Sequence, residues 1–379
     1  MKSVVQPASP TTKSPPSAVS PSMNKAGTKA ELSRPAPEAE PLVATVATRP
    51  PTAATEVIAP QPLRSEPDPA RKSTLPRPPP PPEAMPDQLE KGRYPRPVQD
   101  WLEAQVALAR LALSPGSIDG LPGPQTRAAL RAFQSSRSLT PSGELDAATR
   151  AALVLDAPLY TNVVVSTEDL ARLQPLSPSW LGKSRQSALE YESILELLAE
   201  KSQSHPNLIR RLNSAVEWSS VSPQTPITVP WVNGVVPSEK AAFVHIRLAE
   251  RTLQAFGSQS NLLAHFPCSI AKRMEKRPVG ELHVVVLIPN PNYTFDPELF
   301  PESAEARTLT NKLVIPPGPN NPVGIAWIGL DRAGYGIHGT PSPEQVGRTE
   351  SHGCFRLANW NAACLLQLAW VGMPVFVDP

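Results

Sequence analysis

The chain has 379 residues, and its 36 Lys and Arg against 34 Asp and Glu leave a formal charge of +2, a balance that gives no electrostatic footprint for nucleic acid. Proline is the outlier at 49 residues; nearly half of it precedes residue 100, where Tyr94 is the only aromatic, so that stretch cannot build a core and one compact domain over the whole length is excluded. No apolar run approaches the roughly 18–20 residues of a membrane span, polar residues and Pro7 interrupt the start before a signal-peptide core can form, and three cysteines without a C-x-x-C pair exclude a disulfide scaffold and the usual structural zinc.

Residues 1–97 are rich in Ser, Thr, Ala and Pro and include the run Pro78-Pro79-Pro80-Pro81-Pro82. They read as a disordered tether with polyproline II character. The alternative for the run is a ligand for an aromatic-lined groove.

A small all-α unit of three helices is expected over 98–156. Val98, Trp101, Leu102, Val106 and Ala109 form one helical face with Gln105 as a polar intruder. A second helix starts at Pro124 and carries Ala129, Leu130 and Phe133; a third starts after Asp146, a good N-cap residue. A unit this short needs Trp101, Leu108, Ile118, Leu130, Phe133, Leu145 and Leu153 together in its core.

Residues 157–237 read as an α+β linker. Helices are expected over 191–199 and 208–213, with a strand at 227–230. From 238 to 379 the period changes to that of strands: 243–248, 262–270, 282–288, 313–315, 324–330, 336–338 and 375–377, separated by turns rich in Pro, Gly and Asn. One helix runs from Trp360 to about Trp370. The pattern predicts a mainly antiparallel β sandwich or barrel with one packed helix.

The densest chemistry is Ile337-His338-Gly339-Thr340 followed by Ser351-His352-Gly353-Cys354-Phe355-Arg356 and Asn359. Nucleophilic catalysis needs a thiolate, a base within reach to make it, and backbone donors for the developing oxyanion. Cys354 fits the nucleophile and His338 the base. Gly353 removes side-chain bulk beside the thiol and frees the backbone to turn its N–H groups inward. A zinc reading of His338, His352 and Cys354 lacks a fourth ligand, and no metal or other cofactor is expected. Cys268 and Cys364 sit in apolar contexts and read as small buried hydrophobes. His205, His245, His265 and His283 read as surface or satisfied strand residues. Trp327 reads as core packing, Tyr335 as a residue that lines the cleft, and Arg356 as either an ion-pair partner or a substrate contact.

Three resemblances add to this. Ile118-Asp119-Gly120, Gly123-Pro124-Gln125-Thr126, Phe133-Gln134 and Gly143-Glu144-Leu145-Asp146 with Thr149 closely resemble the three-helix peptidoglycan-binding domain, over about 97–156; the alternative is a helical spacer. The helix, helix and strand order within 190–230 looks like the second half of a LysM glycan-binding module, with Leu189-Glu190 in place of Gly-Asp and an indistinct first strand. Ser-His-Gly-Cys-x-Arg with the upstream Ile-His-Gly-Thr resembles the YkuD-type L,D-transpeptidases of bacterial cell walls, over about 240–379.

That last resemblance implies attack by Cys354 on a stem tetrapeptide of peptidoglycan, loss of D-Ala, a thioester, and transfer to an amine of another stem or of an outer-membrane lipoprotein. His338 would be the base and His352 a neighbour lining the site. Gly353 belongs to the nucleophile's motif. Ser351, Gly339, Arg356, Asn359 and Tyr335 would shape the substrate side. Hydrolysis, as in an L,D-carboxypeptidase, and a catalytically idle peptidoglycan-binding scaffold stay open as alternatives. The substrate places the expected location in the cell envelope or periplasm, reached through a start upstream of Met1 or a signal not visible here.

Overall fold

The computed structural model describes residues 93–232, 237–300, 303–348 and 353–379. The expected tether lies outside the described residues except for its last few. Those are ordered: β1 (Arg96–Pro97) pairs antiparallel with β2 (Val154–Leu155), so order begins slightly ahead of the expected residue 98.

The helical unit is α1 (Trp101–Arg110), α2 (Pro124–Ser136) and α3 (Ala147–Ala152). Asp100 and Asp146 cap α1 and α3 by accepting from the N–H groups of Glu103 and Thr149, and Pro124 opens α2. Leu108, Ile118, Leu130, Phe133, Leu145 and Leu153 are buried together, with Trp101 half-buried at their edge. The polar intruder Gln105 is 1% exposed. Its Oε1 accepts from the backbone of Asp119 and Gly120, and its Nε2 donates to Asp119 Oδ1, Leu121 O and Thr126 Oγ1. Gln134 ties the second turn in the same way, accepting from Gly143 N and donating to Glu144 O and Thr149 Oγ1. Each buried amide thus satisfies a turn that cannot bond to itself.

In 157–232 the elements are β3 (Tyr160–Val164), α4 (Thr167–Ala171), α5 (Trp180–Ser184), α6 (Ile194–Lys201), α7 (Pro206–Leu212) and β4 (Pro226–Pro230), with β3 antiparallel to β4. The indistinct first strand is Tyr160–Val164. Its residues alternate only between half-buried and exposed, which leaves little period to read. Helices α4, α6 and α7 and strand β4 pack on a core of Ile194, Leu197, Leu198, Ile209, Ile227 and Val229.

The C-terminal region is one curled sheet of eight strands: β5 (Phe243–Arg247), β6 (Thr252–Phe256), β7 (Leu262–Pro267), β8 (Gly280–Pro289), β11 (Ala326–Leu330), β12 (Gly336–His338), β13 (Phe355–Arg356) and β14 (Pro374–Asp378), in the order β13-β12-β11-β8-β14-β5-β6-β7. A small hairpin of β9 (Tyr293–Phe295) and β10 (Leu313–Ile315) stands beside it. Pairing is antiparallel except for β12 with β13 and β14 with β5. Strand β8 pairs through 280–283 with β14 and through 284–289 with β11, so it turns the sheet from one half to the other. The sheet edges then meet: Ser269, just past β7, exchanges both backbone hydrogen bonds with Arg356 on β13 at 2.9 and 3.0 Å. This closure removes most of the open edge. Helix α8 (Asn359–Leu368) buries Ala362, Leu365 and Leu368 against the core.

The regions are bolted together. Trp180 of α5 stacks on Phe295 of β9, centroids 4.2 Å apart, in a cluster that also holds Leu189, Tyr293, Phe300 and Ile315. Leu189 exchanges backbone hydrogen bonds with Pro317 and Asn320. On another side, Ser114 N donates to His265 O and His265 N to Ala112 O, joining the helical unit to β7.

Candidate active site

Ile337 pairs with Phe355 and His338 with Arg356 in the parallel β12–β13 ladder. Residues paired across a ladder share a face, and the face alternates along each strand. Ile337 and Phe355 point into the core, both at 1% exposure or less. His338 and Arg356 therefore share the opposite face, and Cys354 stands immediately ahead of β13, within electrostatic reach of Arg356 and against the backbone of Gly334 and Gly336. Two very short strands hold His338 and Arg356 in register, and Cys354 joins them from the turn that leads into β13.

His338 is fully buried. Its Nδ1 lies 2.6 Å from Gly339 O, and a carbonyl can only accept, so the proton sits on Nδ1 and Nε2 carries the lone pair. Nε2 has no hydrogen-bond partner among the described residues. Burial, with a smaller push from the Arg356 charge, holds the imidazole pKa down to about 3. The Trp327 indole stacks on the ring, centroids 5.7 Å apart. Trp327 sits opposite His338 on β11, so the imidazole is held between a neighbouring aromatic and its own following carbonyl.

Cys354 is 1% exposed and its thiol donates to Gly334 O at 3.4 Å. Burial pushes the thiol up to about 12, opposed by the Gly336 backbone and by Arg356. Thiol and imidazole are therefore both neutral in the resting site. Arg356 is 9% exposed and its charge is felt by both Cys354 and Cys268. Cys268 is wholly buried and Cys364 half-buried.

The remaining expected residues are placed as follows. Asn359 is fully buried as the first residue of α8. Its Nδ2 donates to Glu200 Oε2 at 2.9 Å and Pro319 O at 3.1 Å, and its Oδ1 accepts from Ile325 N. Its amide is spent inside the protein. Gly339 packs against this amide: a Cβ there would also stand 3.3 Å from Gly324 Cα and Ile325 N. Gly353 has no left-handed backbone, and a Cβ on it would meet only Tyr335 Cε1, at 3.8 Å. Tyr335 beside it donates its hydroxyl to Lys276 O at 3.0 Å. Ser351 and His352 lie outside the described residues.

Sequence reasoning missed Glu200 and underweighted Trp327. Glu200, on α6, accepts from both Asn359 and the Tyr191 hydroxyl, and burial raises its carboxyl to about 7. A lone Glu in an amphipathic helix gives no signal of this. Trp327 could have been found by its spacing: one ladder step from His338, with Gly336 cleared beneath its ring, where a Cβ would lie 2.6 Å from the indole.

Comparison with known proteins follows the same division of the chain. Residues 241–377 match the YkuD family, the L,D-transpeptidase catalytic domain, and residues 97–153 match a peptidoglycan binding domain. A Bacillus licheniformis protein named L,D-transpeptidase YkuD is 24% identical over 185 residues, 49% of this chain and 93% of that protein. The YqjB protein of Bacillus subtilis, named an L,D-transpeptidase, is 32% identical over 117 residues, and the chain spans 57% of its length. Among solved structures, an L,D-transpeptidase from Mycobacterium smegmatis aligns at 20% identity over 36% of this chain and 58% of that one, with a TM-score of 0.29. One from Xylanimonas cellulosilytica aligns at 17% identity over 75% of this chain and 98% of that one, also at 0.29.

Proposed function

We propose that this chain, which carries a YkuD-type L,D-transpeptidase catalytic domain and a peptidoglycan-binding domain, remodels peptidoglycan through a thioester on Cys354. The observation that carries the reading is that Cys354 immediately precedes β13, the strand paired with the His338 strand, while His338 Nε2 is deprotonated and has no hydrogen-bond partner among the described residues. As the stem carbonyl enters, Cys354 Sγ attacks it and its proton passes to His338 Nε2. The tetrahedral oxyanion collapses, the C–N bond breaks, and the departing D-Ala amine takes the proton back from His338. An acceptor amine then attacks the thioester, gives a proton to His338 and releases the thiol, which regains it. Trp327 and Gly339 O keep the imidazole in the one orientation that leaves Nε2 as the base.

Crosslinking to a second stem is the favoured outcome. The peptidoglycan-binding domain docked on the same compact body supports it by holding glycan near the thioester. Attachment to a lipoprotein amine and hydrolysis by water differ only in the acceptor. The reading places the protein in the cell envelope, on the periplasmic side where an outer membrane exists. Among the described residues no helix is long and apolar enough to cross a membrane.

The test is incubation with tetrapeptide-containing muropeptides and mass analysis of products. Cys354→Ala should lose all turnover, whereas Cys268→Ala and Cys364→Ala should keep most of it. A strained β-lactam such as a carbapenem should acylate Cys354, since ring opening supplies driving force and the leaving nitrogen stays tethered. Full turnover by Cys354→Ala would end the reading.

A further inference from the structure

A cavity of about 940 Å³ opens between α2 of the helical unit and the β5–β7 side of the sheet, and none of the catalytic residues lines it. Its volume is at the upper end of the roughly 300–1,000 Å³ of small-ligand sites. The hydrogen bonds between 112–114 and His265 hold its two walls together.

Three guanidiniums line it, those of Arg131 and Arg137 from α2 and its end and that of Arg247 from β5. None pairs with a carboxylate among the described residues. Behind them runs a directed chain of hydrogen bonds. Arg247 Nη1 donates to Gln254 Oε1 at 2.5 Å, which turns the amide nitrogen toward His265 Nδ1, 3.2 Å away. An amide nitrogen only donates, so Nδ1 accepts and the proton of His265 must sit on Nε2. That N–H belongs to a side chain only 2% exposed and has no acceptor among the described residues. The sequence reads His265 as a satisfied strand residue, and here it is not one. A second proton would not satisfy it, because burial and the charges of Arg247 and Arg131 hold its pKa down to about 4. A cleft lined by three guanidiniums without carboxylate partners, with the unsatisfied donor of His265 in its wall, asks for an anionic acceptor from outside the chain.

We propose that this cleft binds a carboxylate-bearing peptide, with His265 Nε2–H and the Arg131, Arg137 and Arg247 guanidiniums as its donors. The guanidinium fork matches a carboxylate. Phosphate shares that match, but Glu250 on the rim and the apolar Phe256 within disfavour a polymer charged at every repeat. They suit a peptide that carries an amine and aliphatic side chains as well. Resting on the reading of the chain as a wall enzyme, the peptide is a second stem of the same wall, held by the junction of the two domains while Cys354 acts elsewhere.

The test uses the full chain labelled with ¹⁵N-histidine, whose six histidines give a resolvable set of ring signals, with His265 assigned by its loss in His265→Gln. Titration with a free acidic stem tetrapeptide should move the His265 Nε2 signal in a saturable way at millimolar concentration or below. The fully amidated peptide should not move it. Arg131→Glu with Arg137→Glu, both at exposed positions, should weaken the response at least about tenfold. No movement of the His265 signal, an unchanged affinity in the double variant, or tighter binding of a glycerol phosphate oligomer than of the peptide would each overturn the proposal. Acylation of Cys354 by a β-lactam is scored on the same samples. Acylation without a His265 response removes the cleft alone, and a response without acylation removes the catalytic reading and leaves an anion site.

Discussion

Burial moves the two groups of the proposed mechanism in opposite directions, the Cys354 thiol up to about 12 and the His338 imidazole down to about 3. The resting pair is therefore neutral, and in the proposed reaction the proton moves only when the carbonyl is attacked. This sets the pH behaviour. Above about pH 3 His338 is unprotonated and below about pH 12 Cys354 keeps its proton, so the β-lactam acylation rate of the wild type should be flat between about pH 5 and 9. In His338→Ala only thiolate made by hydroxide can react, and its rate should start far lower and climb about tenfold per pH unit over that range. Intact-protein mass spectrometry over a pH series measures both. Equal rates for the two proteins at pH 7 would remove His338 from the mechanism. The candidate Cys and His motifs stand out in the sequence because short motifs around a cysteine flanked by Gly and Arg have few other uses. The tautomer of His338 was not legible there, since it depends on a carbonyl at the end of a three-residue strand.

At the scale of elements, the site is held by clearances as much as by contacts. Trp327 of β11 crosses over Gly336 of β12 to reach His338, and a Cβ on Gly336 would lie 2.6 Å from the indole and 3.0 Å from Ile328 O. Gly336→Ala should destabilise the fold by about 1–3 kcal/mol in chemical denaturation and slow acylation as well, because the ring it displaces holds the base. Helix α6 reaches the same region from the other side through Glu200, Asn359 and Tyr191. Glu200 also feels Glu196 on its own helix. Its folded pKa of about 7 lies above the ordinary carboxylate value, so the folded state holds a proton there that the unfolded chain has lost. Stability from this site is present in full below about pH 4.5 and is lost as pH rises through 7, by about 3 kcal/mol in all. Glu200→Gln, which keeps the shape and stays neutral, should abolish that fall and be the more stable protein at pH 8 in thermal melts. Most helices were readable from their apolar faces, with Pro124 and the Asp146 cap marking two of the starts, because those signals are local. Strand β3 and the Glu200 contact were not, since one is a half-exposed ribbon and the other joins residues far apart in sequence.

For the whole molecule, the stretch 157–232 is more than a connector. The sequence divides it from the region after 238 by a change of period, but its Trp180 and Leu189 are buried among Tyr293, Phe295, Phe300 and Ile315 beyond that boundary. These two residues pack with the hairpin β9–β10 in one buried cluster, and a two-stranded hairpin is marginal without such cover. Gly318 shows how close the docking is: with φ of +141°, a Cβ on it would stand 2.6 Å from the Leu189 carbonyl carbon. Sequence patterns could not reveal this, because an aromatic in a five-residue helix shows no period and its partners lie more than a hundred positions away. The consequence can be measured with fragments. A protein of residues 157–379 should unfold in one cooperative step, whereas 238–379 alone should expose the Phe295 and Phe300 surface, bind a hydrophobic dye and unfold at lower denaturant. In the longer protein Trp180→Ala should cost about 3–5 kcal/mol, the usual loss for truncating a buried aromatic. If 238–379 matches 157–379 in midpoint and acylation rate, the docking is a contact without energetic weight and the catalytic sheet stands by itself. If it falls as expected, the 318–324 loop beneath Asn359 loses its support with it, and acylation of Cys354 should slow even below the denaturation midpoint.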